Sequence, residues 1–265
     1  MPENTDNAVD EIRQFYRRRA NTDLYATSPD MNLREVENGY ISRHLSDGLS
    51  VLDVGCGNGY STLSYAARFR SSFMGVDFVP EMVTAARALA GKFQLLGDVA
   101  FQEGDVTALR FPAATFDVVC SQRCLLNLPS REAQWLALAE IARVLKPGGR
   151  YLMLEGSIQG LEKLNAVRQR FGLEAIPEAD ARSNWFSNKF DEPEMLREAL
   201  KLFQAAESTQ RFGMYYLISR VIHPLLVAPE APKYDARINT IARQICEEYP
   251  DFEQMGHVAL FVLRR

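Results

Sequence analysis

The chain predicts an α/β fold: a Rossmann-like doubly wound sheet, mostly parallel with an antiparallel last strand, helices on both faces and helical lid insertions. Three observations carry this. Residues 51–62 run from an apolar stretch (Val51, Leu52, Val54) through Gly55, Gly57 and Gly59 into a segment with apolar residues at helical spacing, the pattern of a buried strand, a tight turn and a helix. Further apolar runs at 72–77, 99–106, 116–121 and 151–155 alternate with helix-like segments, as in a parallel sheet with crossover helices. Several runs end in acids or polar residues, Asp77 and Glu155 among them, and ligands of such sheets collect at the carboxyl ends of the strands.

Composition narrows the setting. The chain has 265 residues, 47% of them apolar, enough for one continuous core. We expect a single domain over 1–265, with a helical cap at 1–46, a ligand-binding core at 48–155, and insertions at 156–190 and 213–256. A net charge of −4 lacks the basic footprint of a nucleic-acid binder, and Arg17-Arg18-Arg19 reads as a solvated helix face. The cysteines are Cys56, Cys120, Cys124 and Cys246; none forms a Cys-x-x-Cys pair or has a completing histidine, so no metal site is expected. No signal, membrane-spanning or lipidation pattern is visible, which predicts a cytoplasmic protein without a membrane partner.

The elements follow in order. Residues 9–20, with Ile12, Phe15, Tyr16 and Arg19, predict an amphipathic helix, residues 25–32 a loop broken at Ser28-Pro29, and residues 33–45 a second helix. After the 51–54 strand and its helix comes a second strand at 72–77, then a helix that Pro80 can open. The third strand ends at Gly104-Asp105-Val106. The fourth, 116–121, runs into Gln122-Arg123-Cys124-Leu125-Leu126-Asn127. A helix at 131–145, a tight turn at Lys146-Pro147-Gly148-Gly149-Arg150 and the fifth strand complete the core. Beyond it we place a helix at 192–203, a sixth strand at 206–212 and the antiparallel seventh at 257–263. Helices at 214–226 and 235–249 occupy the second insertion. Both insertions can fold over the sheet's working end, so they are expected to form lid and substrate pocket.

The glycine turn identifies the ligand class by its spacing. A dinucleotide fingerprint wants a small third residue at position 60; Tyr60 stands there and the glycine is at 59. No phosphate-binding Gly-x-x-x-x-Gly-Lys-Ser/Thr occurs. Leu52-Asp53-Val54-Gly55-Cys56-Gly57-Asn58-Gly59 resembles the first motif of class I S-adenosylmethionine-dependent methyltransferases, and Ala142-Arg143-Val144-Leu145-Lys146-Pro147-Gly148-Gly149 resembles a later one. The likeness covers residues 48–155; beyond it there is a looser likeness to small-molecule methyltransferases with extended C-terminal lids. It implies S-adenosylmethionine as cofactor, S-adenosylhomocysteine as product, and cofactor contacts at Asp53, Gly55, Cys56 and Gly57. Asp77 would take the ribose hydroxyls, and Phe78 and Met82 would flank the adenine. Asp105 would accept from the exocyclic amine beside the Val106 N–H, and Gln122 would face the sulfonium end. Elements before the first strand often fold over the cofactor in this family, so Tyr16, Tyr25 and Arg34 are candidates to close the pocket.

The resemblance leaves the acceptor open. No Asn-Pro-Pro-Tyr or Asp-Pro-Pro-Tyr follows the fourth strand, which argues against base or glutamine methylation. Polar residues in apolar context are the candidates for holding the acceptor: Arg123, Asn127, Glu155, Asn165, Arg168, Asn184, Tyr215, Tyr216 and Arg220. Tyr216, Arg220 and His223 fall at i, i+4 and i+7 and would share one helical face. Of three histidines, His44 ends a helix and His257 opens the last strand, so His223, alone in an insertion, is the candidate general base. The expected reaction is methyl transfer to oxygen, or second to nitrogen, of a polar small molecule such as a sugar or a carboxylate-bearing metabolite. A methyltransferase of tRNA or protein side chains, and a cofactor-binding protein without turnover, are the alternatives; oligomeric state is not legible.

Overall fold

A computed structural model of the chain describes residues 5–24, 28–178 and 187–265. Strand β1 (Ser50–Val54) lies between β2 (Ser72–Asp77) and β4 (Phe116–Gln122), parallel to both. Outside them, β3 (Asp98–Glu103) pairs with β2 and β5 (Leu145–Gly156) with β4, again in parallel. The antiparallel strand β7 (Val258–Arg264) inserts between β5 and β6 (Ala205–Gln210), so the sheet runs β3-β2-β1-β4-β5-β7-β6. The order reverses between β1 and β4, and a crevice opens at such a reversal because the crossovers on its two sides leave to opposite faces.

Strand alternation sorts the core into two layers. Val51, Cys120, Leu152 and Leu154 point to one face, Leu52, Val119, Tyr151 and Met153 to the other, as the two-residue period of a strand requires. On the second face lie α5 (Arg131–Val144) and α7 (Glu192–Ala199), through Leu138, Ile141 and Met195. The first face is covered by α2 (Met31–Ser42) and by chain from the second insertion. Helices α3 (Tyr60–Ala66) and α4 (Pro80–Ala90) flank β1 to β3, while α1 (Thr5–Arg17) crosses the carboxyl ends of the strands.

Two expectations are corrected. The predicted turn at 146–150 falls inside β5: Phe116 pairs with Leu145 and Val118 with Arg150, so the extra residues bulge out and pairing resumes beyond them. The second insertion buries one side in the core, although its Tyr234 lines the cavity at the working end. Its helices α8 (Gly213–Tyr216) and α9 (His223–Val227) are joined without a break by a π-helical segment at Leu217–Ile222, and α10 (Arg237–Glu248) packs on α2. Tyr215, Tyr216, Val221, Ala242 and Cys246 are all buried there. The Tyr40 hydroxyl donates to the Cys246 carbonyl at 2.9 Å, and Arg43 to that of Glu247 at 2.8 Å. The first insertion, with α6 (Ile158–Arg170), does border the working end. Among the described residues no helix is long and apolar enough to cross a membrane.

Candidate functional site

A cavity of about 690 Å³ opens at the carboxyl ends of β1, β2, β4 and β5 beneath α1, within the range of small-molecule sites. One end is built by the glycine turn. Gly55 has φ +69°, and a Cβ there would stand 2.4 Å from the Cys124 sulfur, so only glycine lets the turn pass under the start of the loop after β4. The turn is tied to β2: the Gly55 and Cys56 N–H groups donate to the Val76 carbonyl at 2.7 and 3.0 Å. The Gly57 N–H donates to one oxygen of Asp77 at 2.8 Å and the Val79 N–H to the other at 3.0 Å. Each oxygen keeps a lone pair for a ligand hydroxyl. Burial raises the Asp77 carboxyl to about 6 against those two N–H bonds.

Asp53, also on the cavity wall, accepts the Thr62 hydroxyl at 2.5 Å and is raised to about 6, chiefly by burial. Phe78 presents its ring to the cavity with the Arg13 guanidinium 5.6 Å from its centre. Asp105 is oriented by the Thr107 N–H and hydroxyl, both donating to one carboxylate oxygen at 2.8 and 2.7 Å, which leaves the other for a donor such as an amine. Tyr16 lines this end from α1, its phenol held protonated by burial and by the nearby charge of Asp77.

The other end is cationic. Arg123, with φ +56°, lines the cavity and donates to buried Glu37 at 3.1 Å. Burial pushes the Glu37 carboxyl up. Arg34 lines the wall too, and burial, then repulsion from Arg123, lower it to about 10. Gln122 donates to Asn38 at 2.9 Å. Asn127 donates to the Arg123 carbonyl at 2.6 Å, and its own side-chain oxygen is buried without a partner. Gly55, Cys56, Gly57, Val106, Gln122, Arg123 and Asn127 all line the cavity.

Eight predicted residues lie elsewhere. Met82 is 1% exposed in the packed side of α4. Glu155 is fully buried and structural: its carboxylate accepts from the Ser121 hydroxyl and from the N–H groups of Cys124, Leu125 and Leu126, at 2.7 to 3.1 Å, capping the 3-10 turn Leu125–Asn127. Tyr216, Arg220 and His223 do not line the cavity; the π segment between them breaks the 3.6-residue phase on which their shared face was built. Tyr216 is core, Arg220 is paired with buried Asp30, and His223 is 3% exposed within the helical layer. Asn165 exchanges hydrogen bonds with the Ile176 backbone at 2.8 and 2.9 Å, and Arg168 donates to the backbone of Glu174 and Arg220, so both tie down loops. Tyr215 donates to Asp30 at 2.7 Å. Tyr25 and Asn184 lie outside the described residues.

Two residues set aside or unnoticed in the sequence are in the wall: His257, just before β7, and Lys189, in the strip that pairs with the end of β5. Neither carries a motif; the pairing of β7 with β5 brings His257 to the cavity, and the bridge of Phe190 to Ser157 brings Lys189.

Comparison with known proteins accords with this geometry. Residues 51–149 match the family described as Methyltransferase domain. The demethylmenaquinone methyltransferase of Lactiplantibacillus plantarum is 32% identical over 162 residues, 60% of this chain and 66% of that protein. The 27-O-demethylrifamycin SV methyltransferase of Amycolatopsis mediterranei is 34% identical over 122 residues, 44% of each. The chain thus spans less than two thirds of the length of these relatives. Among solved structures, a SAM-dependent methyltransferase of Methanosarcina mazei superposes with a TM-score of 0.55 at 17% identity, over 85% of this chain and 96% of that one, a likeness of fold.

Proposed function

Because residues 51–149 of this chain form a methyltransferase domain of the class I S-adenosylmethionine-dependent family, we propose that the whole protein methylates an oxygen of a small molecule, with nitrogen second. The observation that carries this is the joining of two half-sites in one cavity: the Gly55 to Gly59 turn with Asp77 and Asp105 at one end, Arg123 and Asn127 at the other.

The donor end fits the cofactor by its own chemistry. The two Asp77 oxygens, pre-oriented by Gly57 and Val79, match a pair of ribose hydroxyls. The free Asp105 oxygen and the Phe78 ring match an adenine amine and face. Bound there, S-adenosylmethionine supplies a methyl group already activated on sulfonium. The residues of the chain then position and desolvate. Arg123 and Asn127 hold the acceptor's polar end, the unpartnered Asn127 oxygen taking a hydroxyl or amine proton as a hydrogen bond. Ile12, Phe15, Leu128 and Ile176 exclude water around its body, a lining that suits a molecule with an apolar part better than a bare sugar.

Transfer to carbon is the second reading, favoured by the 33% identity over 165 residues to a ubiquinone/menaquinone biosynthesis C-methyltransferase of Rhodopseudomonas palustris. Incubation with isotopically labelled S-adenosylmethionine and separate panels of phenols, carboxylic acids, sugars and quinols, with products assigned by mass spectrometry and NMR, tests both. Methylation on oxygen is expected; methylation on carbon selects the second reading. Calorimetry showing no binding of S-adenosylhomocysteine overturns both.

A further inference from the structure

The acceptor end contains two buried nitrogen groups that no carboxylate among the described residues contacts directly. Lys189 is 9% exposed, yet its ammonium donates only to neutral oxygens, the Glu178 carbonyl and the Ser187 hydroxyl. No carboxylate among the described residues lies within 4.0 Å of it. The His257 Nδ1 is buried with no hydrogen-bond partner. Every charged group acting on His257 is a cation: burial, then Arg220, Lys189 and Arg123, drive its imidazole well below the ordinary value. A buried charge is costly unless paired; the exposed carboxylate of Glu178 acts on Lys189 only through space, without an ion pair, and the buried carboxylates are committed, Glu155 to four donors, Glu192 to Arg211 and Ser157, Glu37 to Arg123.

Both groups are held rigidly. The backbone on either side of Lys189 is clamped: the Asn188 N–H donates to the Leu126 carbonyl at 2.7 Å and the Phe190 N–H to that of Gly156 at 2.8 Å. Arg131 donates to the carbonyl of Lys189 itself at 2.7 Å. The Lys189 stem lies over Gly156, where a Cβ would come within 2.8 Å of it. His257 packs edge-on against Tyr216, ring centres 4.8 Å apart, and its carbonyl accepts the Ser157 N–H at 3.1 Å. Gly156 pairs with Val258, the residue after His257, so lysine and histidine converge at the adjoining tips of β5 and β7. That is a preorganised cationic notch at the far end of the cavity from Asp77 and Asp105.

We propose that this notch recognises a carboxylate on the methyl acceptor, with Lys189 as its counterion and His257 as a neutral hydrogen-bonding partner. The acceptor is then an organic acid, not a neutral sugar or phenol. This rests on the methyltransferase reading of the cavity, but it can fail separately.

The test is ligand-observed NMR on the protein saturated with S-adenosylhomocysteine, using four acids (benzoate, phenylacetate, hexanoate and decanoate) against their matched primary amides. At least one acid is expected to bind about tenfold more tightly than its amide, the scale of a charge-assisted hydrogen bond. Lys189→Met should abolish that preference, Lys189→Arg should preserve it, and calorimetric affinity for S-adenosylhomocysteine should be unchanged in both. His257 ring resonances, assigned with His257→Gln, should move with the acid and not with the amide. Binding of no acid, equal binding of acid and amide, or an acid preference that survives in Lys189→Met overturns the proposal. Absence of S-adenosylhomocysteine binding in the wild type instead removes the methyltransferase reading, and the same acid and amide titrations run on the protein alone still judge the notch.

Discussion

Asp77 is the residue on which the proposed donor end turns, and its environment makes it sensitive to pH. Substituting Asp77→Asn should weaken S-adenosylhomocysteine binding roughly tenfold to a hundredfold near neutral pH, the worth of hydrogen bonds to a charged acceptor; calorimetry measures it. As the wild-type carboxyl is raised to about 6, affinity should fall as the pH drops through that value, and Asp77→Asn should lose this dependence. Stability has the opposite sign. A carboxyl raised in the folded state favours folding fully below its unfolded value of 3.8 and loses that contribution as the pH rises through about 6. Over that window denaturant titrations should show the wild type losing up to about 3 kcal/mol relative to Asp77→Asn. Gly55 is constrained by space as well as by φ. Gly55→Ala should cost roughly 1–3 kcal/mol, and Cys124→Gly, which removes the sulfur and the Cβ that the new methyl would strike, should recover part of it in a double-mutant cycle.

At the scale of elements, the turn after β4 is held by the penultimate residue of β5. Glu155 reaches from β5 across to the first N–H groups of the 3-10 turn, and that turn carries Asn127 to the cavity. Glu155→Ala leaves buried donors unpaired and should cost roughly 3 kcal/mol or more in thermal or chemical unfolding. Glu155→Gln, which keeps one acceptor oxygen but sets an NH₂ against the remaining donors, should fall between. The continuous helix over 213–227 behaves differently: its π segment turns His223 into packing, so folded His223→Ala should keep turnover within about twofold of wild type. Residue type and sequence position made His223 a reasonable base, but a six-residue change of helical pitch cannot be read from side-chain chemistry.

For the whole molecule, the division between scaffold and cover predicts what truncation does. The sheet and its two apolar layers are complete without α1, which contributes Ile12, Phe15 and Tyr16 to the roof of the cavity. Its outward ties are of the exposed kind, such as the Arg17–Glu81 pair at 2.8 Å, worth little in stability. Deleting residues 1–17 should therefore leave a cooperative melt within a few degrees of wild type, since about 1 kcal/mol moves the midpoint by only ~2–4 °C in a chain of this size. S-adenosylhomocysteine affinity should drop about tenfold as the roof is lost and water enters.

By itself the sequence determined the sheet, its crossovers and the grouping of the proposed donor residues in one cavity, because these depend on local signals: strand alternation, a glycine turn with Tyr60 in the third place, and acids at the tips of β2 and β3. Asp53, Gly55, Gly57, Asp77 and Asp105 all line the cavity because a parallel strand and the turn after it put their residues in one place whatever the rest of the chain does. Beyond Arg123 and Asn127, tertiary structure decided the proposed acceptor end. Glu155 sits at a strand tip yet faces inward to cap a turn, one side of the second insertion was drawn into the core by Tyr215, Tyr216 and Cys246, and Lys189 and His257 meet because antiparallel β7 closes against β5 while the strip around Phe190 pairs with the end of β5. Contacts between residues tens of positions apart follow from which apolar faces bury each other, and that is settled by packing rather than by any local pattern.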